Sequence, residues 1–185
     1  MAFGVVYDAC VLYPSHLRDL LLRIAKAELV HARWTDRILD ECFVNLQRDR
    51  PDLKPDLLAR TRTLMCAAVP DCLVTDYEPL IDGLQLPDPD DRHVLAAAIK
   101  CGAQVIVTFN ERDFPFEALS QFDIEPKHPD DFVVETIDLA PAVVAGILET
   151  QWRALSRPPM SREEFLGALE KLGLVRSVVR LRDLR

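Results

Sequence analysis

The chain has 185 residues, 49% of them hydrophobic and 28% charged, with a formal net charge of −8. Such a length and balance suit one sizeable core with an appendage. The negative charge excludes binding of nucleic acid through bulk electrostatics, which needs clustered Lys and Arg, but it leaves open an enzyme that acts on nucleic acid with cations at the chemistry.

Phe3 to Tyr7 reads as a buried parallel strand ending at Asp8. It reaches Asp8 too soon for a signal peptide, and no later run approaches membrane-spanning length, so a cytoplasmic protein with no membrane partner is expected. Ser15 is the expected N-cap of a helix carrying Leu17, Leu20, Leu21 and Ile24 at helical spacing. After the short segment Val30 to Arg33, Thr35 caps a second helix that turns Ile38, Leu39, Cys42 and Leu46 inward, with Glu41 at the margin of that stripe. Leu57 to Val69 reads as a third helix and Cys72 to Thr75 as a short strand.

Leu86-Pro-Asp-Pro-Asp-Asp leads into the small-residue helix from Val94, for which Gly102 is the expected stop. Gln104 to Thr108 is a second buried parallel strand, delivering Asn110 and Asp113 at its end. From about Asp138 the pattern is helical, with a capping box at Ser161-Arg-Glu-Glu164 and a basic segment, Leu174 to Leu184, bearing Arg176, Arg180 and Arg182 with Arg185 just beyond. Val175, Val178, Val179 and Leu181 are expected to dock that segment while its arginines face RNA phosphates or an acidic partner. Five cysteines, Cys10, Cys42, Cys66, Cys72 and Cys101, form no Cys-x-x-Cys pair, which fits reduced core thiols and argues against a zinc site.

Strands alternating with helices predict an α/β fold with a mostly parallel sheet, and such sheets carry their sites at the carboxyl ends of the strands. Asp8 and the Thr108 to Asp113 loop both lie there. Asp91 shares a helical face with Val94, Leu95 and Ala98, so its carboxylate points along core residues; Asp90 suits the N-cap and is the fallback acid. Carboxylates gathered without cationic partners raise one another's pKa, and a divalent cation is what ordinarily neutralises such a cluster.

Taken in order, strand-Asp8, helix-Glu41, Asp91 before a small-residue helix, and Val-Thr-Phe-Asn-Glu-Arg-Asp-Phe resemble the successive motifs of the PIN domain, a metal-dependent ribonuclease fold that includes VapC-type toxins. The resemblance covers roughly residues 3 to 135. It implies a three-layer fold and a PIN-like nuclease domain over 1–137; the helical extension over 138–185, read from the helical pattern, lies outside it. It further implies an acidic quartet of Asp8, Glu41, Asp91 and Asp113 holding Mg²⁺ or Mn²⁺, with Thr108 and Asn110 as supporting or substrate contacts. Asp8 and Asp91 would be primary ligands, Asp113 a direct or water-bridged one, and Glu41 an outer ligand or orienter of the attacking water. RNA is the implied substrate, a small antitoxin the implied partner and a homodimer the implied assembly. Cys10 stands where many relatives carry a small polar residue, and some carry an acid in place of Asn110. Two other readings compete: a haloacid-dehalogenase-like phosphohydrolase, which wants a second Asp where Cys10 stands, and a non-catalytic PIN-like interaction module, which the complete quartet opposes.

Overall fold

A computed structural model describes residues 3–156 and 158–184. The first strand, β1 (Phe3–Tyr7), is apolar enough to be buried on both faces, and Asp8 ends it by capping the one-turn helix α1 (Ala9–Leu12). Helix α2 (Ser15–Lys26) follows, its Leu17, Leu20, Leu21 and Ile24 turned inward. Ser15 is its first helical residue and Pro14 occupies the N-cap position, because the Pro14 carbonyl already accepts the first helical bond, from the Arg18 amide at 2.8 Å.

Strand β2 (Val30–Arg33) leads through the Thr35 cap into α3 (Asp36–Asp49), and α4 (Pro55–Ala68) follows, packed on α2 and α3. The expected strand at Cys72 to Thr75 reduces to one bridge, Leu73 to Trp34, since Thr75 and Asp76 turn the chain away at once. Short α5 (Glu78–Ile81) and a 3₁₀ turn at Pro89–Asp91 precede α6 (Arg92–Cys101), which Gly102 stops in the left-handed region at φ 65°. Strand β3 (Val105–Val107), α7 (Phe116–Leu119) and β4 (Glu125–Lys127) complete the sheet, and α8 (Pro129–Leu139), α9 (Pro141–Ala154), α10 (Arg162–Lys171) and α11 (Val175–Asp183) complete the chain.

All pairings are parallel and the strand order is β2-β1-β3-β4. Parallel crossovers are right-handed, and the β1 to β2 and β2 to β3 connections run in opposite directions across the sheet, so α2 and α6 pack on opposite faces, while α3 and α4 pack against α1 and α2. Tyr7 marks one of these faces, donating from its hydroxyl to the Leu21 carbonyl and meeting Trp34 and Phe132 with its ring. Helices α2 and α8 therefore share that side. Gly4 lets β1 approach the turn before β3, where a Cβ would sit 3.1 Å from the Ala103 Cα.

The C-terminal helices return to the body of the fold. Leu174 at the N-cap and Val178 and Leu181 within α11 are buried, as the amphipathic pattern predicts for the last two, whereas Val175 and Val179 remain exposed. The arginines of α11 are engaged within the chain: Arg176 pairs with Asp131, Arg180 with Asp138, and Arg182 with Glu163 and Glu170. These three arginines are exposed as expected, and acids of α8 and α10 meet them; Arg185 lies outside the described residues. No helix among the described residues is long and apolar enough to cross a membrane.

Candidate active site

The strand order reverses between β1 and β3, which leaves a crevice at their carboxyl ends. Asp8 lies there, its amide donating to the Val107 carbonyl at 3.1 Å. Its Oδ1 accepts from the Ala9 amide at 2.6 Å and its Oδ2 from the Thr108 hydroxyl at 2.7 Å. Thr108 Oγ1 also accepts from the Asn110 amide, so the loop after β3 is fastened to the loop after β1. The Cys10 thiol donates to Asp8 Oδ2 at 3.1 Å and its sulfur accepts from the Phe109 amide at 3.3 Å. Burial pushes the Cys10 thiol up first and Asp8 adds to the rise, which keeps it protonated as a donor.

Across the crevice, α3 presents Glu41. The Arg37 Nε donates to its Oε1 at 3.2 Å, and the buried His93 of α6 brings Nε2 to within 3.0 Å of the same oxygen. That His93 contact is out of line for a hydrogen bond, so both ring nitrogens lack a hydrogen-bond partner although the residue is only 1% exposed. Burial pushes the Glu41 carboxyl up, but His93 and Arg37 outweigh it and hold the pKa below its ordinary value.

Asp91 occupies the N-cap position of α6 yet makes no capping bond, so its carboxylate remains available to the crevice. The structure corrects the capping role read for Asp90: Asp88 caps the turn by accepting from the Asp90 amide at 2.9 Å, and Asp90 is exposed within that turn. The reason is the 3₁₀ turn itself, which begins the helical segment two residues earlier than an α-helical reading places it. Burial and the charges of Asp8, Asp88 and Asp113 push the Asp91 pKa up to about 6, against an opposing pull from His93.

Asp8, Glu41, Asp91 and Asn110 thus line one cleft of about 410 Å³, together with Cys10, Tyr13, Asn45, Arg48 and Asp49. The sequence profile of the PIN domain matches residues 4–112, a stretch that holds every residue of this cleft. The chain belongs to the PIN-domain family. A second profile, the VapC50 C-terminal domain, matches residues 129–183, which comprise α8 to α11. Among curated proteins the chain is similar to "Putative ribonuclease VapC50" of Mycobacterium tuberculosis, with 40% identity over 79 residues. That stretch is 43% of this chain and 47% of the relative, so less than half of either protein is compared. No solved structure matches the chain.

Within this PIN fold, Asp113 ends a 3₁₀ turn, Glu111–Asp113, half-buried and outside the cleft lining, though its charge acts on Asp91. Asp90 also lies outside that lining. Among the described residues no three His, Cys, Asp or Glu side chains form a preassembled metal cage. The donor chemistry nevertheless suits Mg²⁺ or Mn²⁺: hard carboxylate oxygens face one cleft, and such ions take few protein oxygens while keeping several waters. Asn45, Arg48 and Asp49 escaped the sequence reading. Their signal was present, because with Glu41 they recur at helical spacing along one side of α3.

Proposed function

We propose that the chain is a metal-dependent endoribonuclease that hydrolyses RNA phosphodiester bonds, acting as the toxin of a toxin-antitoxin pair. The observation that carries this reading is the meeting of Asp8, Glu41 and Asp91 in one cleft, where Asp91 is pushed up to about 6 by burial and by its acidic neighbours. A fold that keeps such repulsion needs a cation to relieve it. The PIN-domain membership and the likeness to a protein named as a ribonuclease support the substrate class.

In this reading Asp8 and Asp91 hold Mg²⁺ or Mn²⁺ directly and Asp113 is a direct or water-bridged ligand. The bound ion supplies positive charge at the phosphate and makes water a stronger acid. Thr108 and Cys10 fix the Asp8 carboxylate by donating to Oδ2, which leaves its remaining lone pairs toward the cleft. Glu41, kept ionised and held by Arg37 beside His93, orients the attacking water. Asn110 offers its side-chain amide to substrate at the cleft wall. The division at 137/138 assigns nuclease chemistry to the first part and a supporting helical role to the second. A small antitoxin as partner, a homodimer and a cytoplasmic setting belong to the same proposal.

The test is RNA cleavage by the purified chain with Mn²⁺, then with excess EDTA. Cleavage with Mn²⁺ that EDTA abolishes is the expected result; EDTA-insensitive cleavage overturns the metal assignment, and no cleavage of any RNA overturns the enzyme reading in favour of a non-catalytic PIN module.

A further inference from the structure

We infer that the far rim of the cleft is a nucleotide subsite for single-stranded RNA, in which Arg48 takes a backbone phosphate next to the scissile one and the Tyr13 ring stacks on an unpaired base. The inference rests on the ribonuclease reading above and extends it to how the substrate is held. Its starting point is an imbalance of charge. The cleft is walled by Asp8, Glu41, Asp49 and Asp91, in a chain of net charge −8, and these charges repel a polyanion. Arg48 is the only basic residue lining the cleft among the described residues.

Its placement is specific. Glu41, Asn45 and Arg48 climb one side of α3 at intervals of four and three residues, so Arg48 stands about two turns, roughly 10 Å, along the axis from Glu41. At that distance it serves a neighbouring phosphate and leaves the scissile one to the acidic end. Asp49 holds the guanidinium from one edge, accepting from Nε at Oδ1 (2.9 Å) and from Nη2 at Oδ2 (3.4 Å), and Tyr13 donates to the same Oδ2 at 3.0 Å. The Nη1 edge makes no hydrogen bond within the chain among the described residues, and a guanidinium fork presents such an edge to phosphate oxygens.

Stability does not explain the arrangement. The Arg48 side chain is 70% exposed and pairs with its own sequence neighbour, a geometry that contributes little in water. The bracket instead aligns two groups of complementary use: a cation for the backbone and, half-buried at the same rim, an aromatic ring whose hydroxyl is tethered. Stacking platforms beside basic groups are how single strands are held without reading sequence.

The experiment compares wild type with Arg48→Ala, Arg48→Lys, Tyr13→Ala and Tyr13→Phe, each checked by melting temperature. A mixed-sequence single-stranded RNA oligonucleotide is the probe, bound in EDTA as a function of salt and cleaved with Mn²⁺. Arg48→Ala is expected to weaken binding about tenfold, to flatten the slope of log K against log salt by about 0.7, and to act on KM more than on kcat. Arg48→Lys should restore the slope, since the charge returns, but only part of the affinity. Tyr13→Ala should weaken binding about tenfold with the slope unchanged, and Tyr13→Phe should recover most of that loss. If wild type cleaves while both alanine variants keep wild-type KM, affinity and slope, the subsite is overturned and the nuclease reading stands. If wild type neither binds nor cleaves RNA, both readings fall together.

Discussion

Asp8 and Asp91 of the cleft and the acids of the C-terminal helices are met in opposite ways. In the helices, Asp131, Asp138, Glu163 and Glu170 each meet an arginine of α11, and the buried Asp130 accepts from the Arg176 amide at 2.9 Å and the Ser177 amide at 2.8 Å. Asp130 thereby caps α11 from another helix. In the cleft, Asp8 is met by uncharged donors alone, and Asp91 by no capping bond and three acids. One chain thus satisfies its structural acids and leaves Asp8 and Asp91 of the cleft without an arginine, with acidic neighbours pushing Asp91 up, a contrast that marks these two as candidates for a functional role.

The sharpest way to break this comparison is to remove an acid on each side. Asp8→Asn or Asp91→Asn is expected to lower Mn²⁺-dependent RNA cleavage by at least about a hundredfold, more than outer partners of a metal site typically cost, while the melting temperature in EDTA holds or rises. Retained cleavage in either variant would remove that acid from the site. Asp130→Ala should do the reverse, costing about 2–4 kcal/mol in chemical denaturation because two amides and a buried hydroxyl lose their acceptor.

A pH series sharpens the point at smaller scale. The folded Asp91 carboxyl binds its proton more tightly than the ordinary value of 3.8 implies, with a pKa of about 6. Its contribution to stability is therefore full below about pH 4 and is lost as pH rises through about 6. Metal-free Asp91→Asn should gain about 1–2 kcal/mol over wild type above pH 6, after allowance for solvent screening of a half-buried group, and no advantage below pH 4. An equal difference at both ends would show that the repulsion is absent.

The smallest effect belongs to the tail. Arg176, Arg180 and Arg182 exchanged singly for Gln should change stability by less than about 1 kcal/mol each and leave the salt dependence of RNA binding unchanged, because none of the three lines the cleft. A flattened salt slope in these variants would return the tail to an RNA-contacting role.

How much of this was legible in sequence depends on burial. Asp8 and the loop after Val107 were readable because uninterrupted apolar strands end beside them, and the Thr35 cap, the Gly102 stop and the Ser161 to Glu164 capping box each declare themselves in local chemistry. Strand β4 was not readable, being three residues long, half-polar and centred on Pro126, with only its pairing to β3 making it a strand. β2 was seen as a segment without its state, since His31 and Arg33 interrupt the apolar pattern of an edge. The role of His93 beside Glu41 needed tertiary structure, because 52 residues separate α3 from α6 at that contact and no local periodicity reports it.

The cap that Asp130 provides to α11 also sets an order of events during synthesis. Its backbone donors lie 46 and 47 residues further along the chain, so on a ribosome adding about 5–20 residues per second the carboxylate waits several seconds for them. Through that interval Asp130 lacks the two amides and the hydroxyl that meet it in the complete fold. A chain stalled before Ser177 should accordingly be cut by protease within α8, and a chain released beyond it should not. Asp130, made first, is set in place by amides made much later.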